Sequence, residues 1–414
     1  MAKIDNRDHQ ADVLIVGCGM VGGSLAIALS NVGLKIVIID QLDPSVQESA
    51  NFDGRASAIA ATPQKMLKQI GIWKQLSRNF TTIEDIRVVD GRSSFYLHYN
   101  HKDVYCDALG FMVENRHFRQ AYLSQIQNNK NITFIAPTKI NQIIRNVGGV
   151  HALLNNGAQI KSDLVIGADG RHSKIREIAG IHCTKWTYSQ TAIVLTVDHQ
   201  IPHNNVAYEH FFPGGPFAIL PLRGDREQKN RSSIVWTEKT DLTRKILSLP
   251  DYDFKNEFKK RFGEHLGDFR FVGPRWHYPL YLHFTETCVA ERLVLVGDAA
   301  HGIHPIAGQG LNLGFRDVAA LAEIVIDAKR LGIDIGEVGV LEKYQKWRRF
   351  DNSLMVAMTD GLNRLFSNDI SPIKVFRDLG LGAVNKANPL KKLLMLHAMG
   401  SIGNLPRLLK GEEL

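Results

Sequence analysis

Gly17, Gly19 and Gly22 stand at G-x-G-x-x-G spacing directly after the apolar run Val13–Val16, and Asp40 closes a second apolar run that begins at Lys35. Each glycine has a physical task. Gly17 allows a tight turn off a strand, Gly19 lets the backbone approach a pyrophosphate, and Gly22 lets the following helix pack on the strand. The helix start offers unpaired N–H groups and the positive end of its dipole to phosphate oxygens. Asp40 can accept hydrogen bonds from an adenosine ribose. This chemistry is dinucleotide binding, and it does not separate NAD from FAD.

Two further stretches repeat the pattern of a buried strand ending in glycine and acid. Leu164–Ile166 runs into Gly167-Ala168-Asp169-Gly170 and then a basic helix start reaching Arg176. Asp169 can bond a ribose or nearby backbone, and Arg176 can meet a phosphate. Arg292–Val296 runs into Gly297-Asp298, where an acid suits a polyol chain lying over the sheet edge. Downstream, Gly308-Gln309-Gly310-Leu311-Asn312 supplies backbone N–H groups at another helix start, a place for a partly anionic ring edge. His301 and His304 are three apart with no third ligand at metal spacing, so no metal site is expected.

The elements that must position these residues follow from apolar periodicity. The first 40 residues read as β-α-β, and an amphipathic helix starts near Arg116. Strands are predicted over 132–135, 140–144, 150–154 and 164–166. A β-rich block covers 186–237, with a hairpin turn at Gly224–Arg231. Helices are predicted over 250–266 and about 309–329, and the last 70 residues read as helices broken at Pro372, Pro389 and Pro406. The fold class is α/β: a Rossmann-like nucleotide-binding domain (1–80, 111–182 and 276–340), an inserted mixed β-sheet substrate domain (81–110 and 183–275), and a helical C-terminal region (341–414).

Composition narrows the class. The 414 residues are 44% hydrophobic and 22% charged, which excludes a disordered, collagenous or coiled-coil chain. The net charge is +8, and five of those charges arise from residue 341 onward. No compact basic patch with aromatics accompanies the excess, so no nucleic-acid partner is expected. Four scattered cysteines suit a reduced, cytoplasmic protein. Val13–Leu34 carries no charge, but its five glycines argue against a spanning helix.

The three motifs, in this order, resemble the single-component FAD-dependent aromatic hydroxylases that share the para-hydroxybenzoate hydroxylase fold. A narrower resemblance is to the ubiquinone-biosynthesis hydroxylases. It rests on Asp53-Gly-Arg55-Ala-Ser-Ala-Ile59, Gly215-Pro216-x-Ala218-x-Leu220-Pro221-Leu222, Gly310–Asp317 and the ending Leu393–Leu409. The resemblance implies that Gly17, Gly19 and Gly22 hold the FAD pyrophosphate, Asp40 the adenosine ribose and Asp298 the ribitol. It implies that Arg116 contacts FAD and that Asp169 helps bind FAD and the nicotinamide cofactor. Gly310, Leu311 and Asn312 would contact the flavin ring, Pro305 would lie beside the reaction site, and Arg55 is a looser match near phosphate or flavin. NAD(P)H would visit as co-substrate, and a flavin C4a-hydroperoxide would deliver oxygen from O2 to a polyprenylated phenol or quinol. No side-chain acid or base is required by this scheme.

The substrate is expected between the flavin and the inserted sheet, with Phe211, Phe212, Phe217, Ile219 and Trp236 as wall candidates; His210 reads as a structural histidine that can also reach a phenol oxygen. The basic, leucine-rich end, with Lys391, Lys392, Arg407 and Lys410, suits either an anionic membrane surface or packing on the body. Peripheral association with the inner face of the cytoplasmic membrane and assembly with other ubiquinone-biosynthesis proteins are what the resemblance adds. The rivals are a hydroxylase of a soluble aromatic acid, for which Arg223, Arg226 and Arg231 fall in the apparent turn, and a non-catalytic assembly factor that keeps the fold.

Overall fold

The computed structural model of the protein describes residues 8–45, 54–91, 93, 95–224, 230–368 and 370–414; Asp53 and Arg226 lie outside them. The strands used below are β1 Val13–Val16, β2 Ile36–Ile39, β3 Ala56–Ala60, β4 Asp85–Asp90, β5 Tyr96–Asn100, β6 Ile132–Ile135, β7 Leu164–Gly167, β8 Cys183–His199, β9 Val206–Phe212, β10 Gly215–Arg223, β11 Asn230–Lys239, β12 Phe269–Thr285 and β13 Leu293–Leu295. The helices are α1 Met20–Asn31, α2 Ala61–Gln69, α3 Asn115–Gln127, α4 Lys174–Ile178, α5 Thr240–Leu247, α6 Asp251–Phe262, α7 Gln309–Arg330, α8 Val338–Phe366, α9 Ser371–Lys386, α10 Asn388–Ala398 and α11 Arg407–Lys410.

Short apolar runs buried on both faces make the central sheet, as parallel strands require. Its order is β13-β7-β1-β2-β6, with Val289–Ala290 added antiparallel at one edge. Val13 and Ile15 face α1, α3 and α7, whereas Leu14 faces a small sheet built from residues 9–10, 140–146, 149–154 and 159–162. The strand ends carrying Gly17, Asp169 and Asp298 therefore emerge side by side at one edge.

The inserted sheet has the order β12-β8-β11-β10-β9-β4-β5, with residues 301–302 at its β12 edge. Its pairs are antiparallel except β9 with β4, which run parallel. β8 and β12 pair from Cys183↔Thr285 to His199↔Phe269 and form the ribbon that joins the two halves. The division expected at 275/276 falls inside β12, which is continuous from Phe269 to Thr285.

The C-terminal prolines open helices instead of ending them. Pro372 and Pro389 stand in the first turns of α9 and α10, and Pro406 caps α11. A proline lacks only an N–H that has no helical partner there. Among the described residues no helix is long and apolar enough to cross a membrane.

Candidate functional site

The phosphate turn has one open position and two closed ones. A Cβ on Gly22 would stand 2.0 Å from the Gly17 carbonyl oxygen, and one on Gly17 (φ +104°) would stand 2.4 Å from the Ala168 oxygen. A Cβ on Gly19 would meet nothing within 4 Å. The backbone is thus sealed toward the protein and bare toward the cavity. Gly19 is the N-cap of α1, whose first turn holds no acidic residue to compete with an anion. Asp40 braces the turn: its Oδ2 accepts the Cys18 N–H at 2.6 Å and its Oδ1 the Leu42 N–H at 2.8 Å.

Asp298 sits in the second strand-end turn with a half-exposed carboxylate on the cavity wall. Its backbone is pinned from two sides. His283 Nε2 donates to the Asp298 carbonyl at 2.7 Å, and the Gly297 N–H donates to Asp317 Oδ2 at 3.0 Å. Asp317 also takes His301 Nε2 at 2.6 Å and Arg348 Nε at 2.8 Å. Burial opposes the Asp317 charge, but His301 and Arg348 outweigh it and hold the carboxyl well below the usual range. Arg348 continues to Asp351 and Asn352, so α7 and α8 are locked beneath the Asp298 turn.

The helix α7 brings a second N-terminus to the same cavity. Gly308 adopts φ +62° just before it, and a Cβ on Gly310 would meet nothing within 4 Å. Asn312, expected to touch a flavin, has its side chain committed elsewhere: Oδ1 accepts the Ala60 N–H at 2.9 Å and Nδ2 donates to the Ala58 carbonyl at 3.0 Å. It stitches α7 to β3, and Gly310, Leu311, Asn312 and Pro305 all line the cavity.

Asp169 and Arg176 likewise serve the scaffold. Asp169 Oδ2 accepts the N–H groups of Lys174 and Ile175 and so starts α4, while its Oδ1 is buried without a partner among the described residues. Arg176, expected at a phosphate, donates to the carbonyls of Ala299 and Arg171. Arg171 lines the cavity at its Asp298 end, with Nη2 4.0 Å from Asp298 Oδ2. Arg55 and Arg116 lie beside the cavity wall where β3 meets α3: Asn115 donates to the Arg55 carbonyl at 2.9 Å, and Arg116 Nε donates to Glu114 at 2.6 Å. Nothing in the sequence pattern separates these bracing roles from ligand contact, because acid and guanidinium groups perform both.

One cavity of about 1290 Å³ runs from Gly19 and Asp298, past Pro305, to the inserted sheet. Here the sequence expectation is corrected. Phe217, Ile219 and Trp236 do not line it; they are buried on the opposite face of the sheet against Phe254 and Phe258 of α6, and Phe212 packs beside them. The reason is strand parity. Neighbouring residues alternate between faces, so Pro216, Ala218 and Leu220 of β10 and Val235 and Thr237 of β11 form the wall. Phe211 lies on the cavity side, stacked 4.3 Å from Phe366 of α8. His210 faces the other way, within ring contact of Tyr208 and His265. Arg231 is in β11, not a turn, and is bound to Asp198 at 2.7 Å.

A dinucleotide sheet with an inserted mixed sheet, and a cavity bridging the two, defines the FAD-dependent aromatic monooxygenase class. Residues 10–349 match the FAD binding domain family. The chain is 50% identical over 412 residues to ubiquinone hydroxylase UbiL of Rhodospirillum rubrum, covering 99% of this chain and 95% of that one. It is 32% identical to the 3-demethoxyubiquinol 3-hydroxylase of Escherichia coli, covering 95% and 99%. The fold matches the crystal structure of p-nitrophenol 4-monooxygenase PnpA from Pseudomonas putida with TM-score 0.79 at 17% identity, covering 96% and 100%. The chain belongs to the FAD binding domain family and, within it, to the ubiquinone-biosynthesis hydroxylases.

Proposed function

We propose that the protein hydroxylates the aromatic ring of a polyprenylated phenol or quinol on the route to ubiquinone, using FAD, NAD(P)H and O2. The observation that carries this reading is one continuous cavity, with strand ends and two bare helix N-termini at one end and an apolar chamber at the other. The residues present fit FAD. Gly17, Gly19 and Gly22 would seat the pyrophosphate at α1, and Asp298 would hold the ribitol. The backbone at Gly310, Leu311 and Asn312 would meet the flavin edge. Asp40 would reach the adenosine ribose from its post beside Cys18, Asp169 would act through the turn it caps, and Arg55 and Arg116 would approach from the β3–α3 junction. Bound flavin supplies the redox and oxygen chemistry; the chain seats it, orients the ring and keeps water out. Pro305 and Ile306 would hold the reacting carbon near the flavin.

The far end of the cavity supports delivery from a bilayer. Met395 and Met399 line it, while Leu390 and Leu393 on the outer face of α10 are exposed, with Lys392 beside them. Such a basic, apolar surface suits an anionic headgroup layer. Only part of the C-terminal stretch is available for this. Leu408 and Leu409 are buried against the body, and Arg407 pairs with Glu323 and Asp327.

Two experiments test the reading. Purified holoprotein should oxidise NAD(P)H faster with a short-tail prenylphenol and place one atom of labelled O2 in the product. Cells lacking the chain and any second hydroxylase should accumulate a prenylphenol missing one hydroxyl. Turnover of a soluble aromatic acid alone would move the assignment to that rival, and bound FAD with no turnover to an assembly role.

A further inference from the structure

Glu209 is the one carboxylate on the inserted-sheet wall of the cavity among the described residues. It lies in β9 between Ala207 and Phe211, which share its face, while Tyr208 and His210 face the other side. Across the sheet it pairs with Ala218 of β10 and Val88 of β4, and Val88 pairs with Leu97 of β5. Its surroundings are apolar, and no hydrogen bond or ion pair reaches its carboxyl among the described residues. A carboxyl in such a place costs stability that a leucine would not. A residue that harms the fold where every neighbour helps it is a candidate for contact with a ligand.

Its position suits a ring. Phe211, two residues along the same strand face, clusters with Ile306, the neighbour of Pro305. Two strand residues span about 7 Å, close to the length of a phenol ring with its oxygen. We propose that Glu209 is the polar anchor of the substrate chamber: its carboxyl meets the hydroxyl of the prenylated ring and fixes which carbon faces the flavin. This rests on the functional reading above and adds the residue that selects ring orientation.

Desolvation alone pushes the Glu209 carboxyl up to about 8. At neutral pH it is a neutral donor, matched to a ring oxygen, and ionising it places an unpaired charge in the chamber. Arg171, Tyr278, Tyr281, His283 and Asp298 line the same cavity from β12 and the strand-end turns, with His283 pushed down by burial. On the elements packed around Glu209, the titratable groups facing the chamber among the described residues are Tyr99 and Arg377. Tyr99 of β5 is pushed up to about 12 by burial, and Arg377 of α9 is bound to Asp90 at 2.8 Å. The wall residues of β4 and β10 here are Ile86, Val88, Pro216, Ala218 and Leu220, and Arg87 lies over Tyr208 on the other face.

The test compares wild-type holoenzyme with E209Q and E209L, using a prenylphenol of two isoprene units. Binding is read from the flavin absorption spectrum between pH 6 and pH 9.5, and coupling from product formed per NAD(P)H oxidised. Wild-type affinity should fall about tenfold or more above pH 8, as the neutral form is lost. E209Q, a neutral donor throughout, should bind without that fall. E209L should bind about tenfold more weakly at pH 7 with poor coupling, keep its flavin, and melt no lower than wild type. Wild-type affinity and coupling in E209L, or an unchanged pH profile in E209Q, would overturn the proposal while leaving the functional reading intact. Failure of wild type itself to hydroxylate the prenylphenol would remove both.

Discussion

His301 Nε2 lies 2.6 Å from Asp317 Oδ2, and both residues are buried beneath the turn that presents Asp298 to the cavity. The pair converts a glycine-containing turn at a strand end into a fixed mount, since the same carboxylate holds the Gly297 N–H. Breaking one partner of a buried charged network costs about 3–5 kcal/mol. D317N should therefore lower thermal stability by that order and weaken FAD retention, measured by melting and by flavin released on dilution. The acid limb should also change. Asp317 is held low in the folded state, so its contribution is complete above the unfolded carboxylate value of about 4 and is lost as pH falls below it. D317N should show a shallower loss of stability in that acid window.

The phosphate turn gives a paired test. G22A forces a Cβ against the Gly17 carbonyl and should unfold the protein or lower its melting point sharply. G19A meets no protein atom, so it should fold normally yet bind FAD about tenfold or more weakly, because the methyl occupies the phosphate's approach. Equal FAD binding in G19A and wild type would remove Gly19 from the cofactor site.

Asp298 is half exposed; its backbone is braced by His283, and its carboxylate meets only the half-exposed Arg171 guanidinium at 4.0 Å. D298A should change folding stability by less than about 1 kcal/mol, as for exposed side chains. Its FAD affinity should fall about tenfold if the carboxylate holds the ribitol. Calorimetry on apoprotein and flavin titration separate the two effects.

The two faces of the inserted sheet should respond differently. W236A and F217A should cost about 3–5 kcal/mol in stability and leave substrate preference unchanged, since both pack on α6. A218F adds bulk to the cavity wall and should raise KM for the prenylphenol with flavin content intact. A shift of substrate preference in W236A with normal stability would contradict this division.

The central strands, the glycine turn and the helix after Gly308 are readable from sequence because buried parallel strands are continuous apolar runs and the glycines answer backbone demands. The cavity wall is not readable in that way. β10 is apolar on both faces, one covered by α5 and α6 and the other lining the cavity, so alternation along it carries no sign of which face is which. Large aromatics attract attention, yet here they fill the closed core, and the open wall is made of Pro216, Ala218 and Leu220. Glu209 was the available signal: a lone acid in register with Ala207 and Phe211. Asn312 and Asp169 show the reverse limit, since their polar atoms are taken by backbone that only the folded chain brings near.

The insert enters at Cys183 and leaves at Thr285, which are register partners in the β8–β12 ribbon. In genetic terms this looks like a cassette with coincident ends, replaceable without disturbing the nucleotide half. The parallel pairing of β9 with β4 makes it a cassette in two parts. A graft of residues 183–285 from another hydroxylase would bring its own β9 and strand it beside a foreign β4 and β5. Recombination that respects this architecture must carry 85–100 together with 183–285, two stretches distant in the gene that encode one surface.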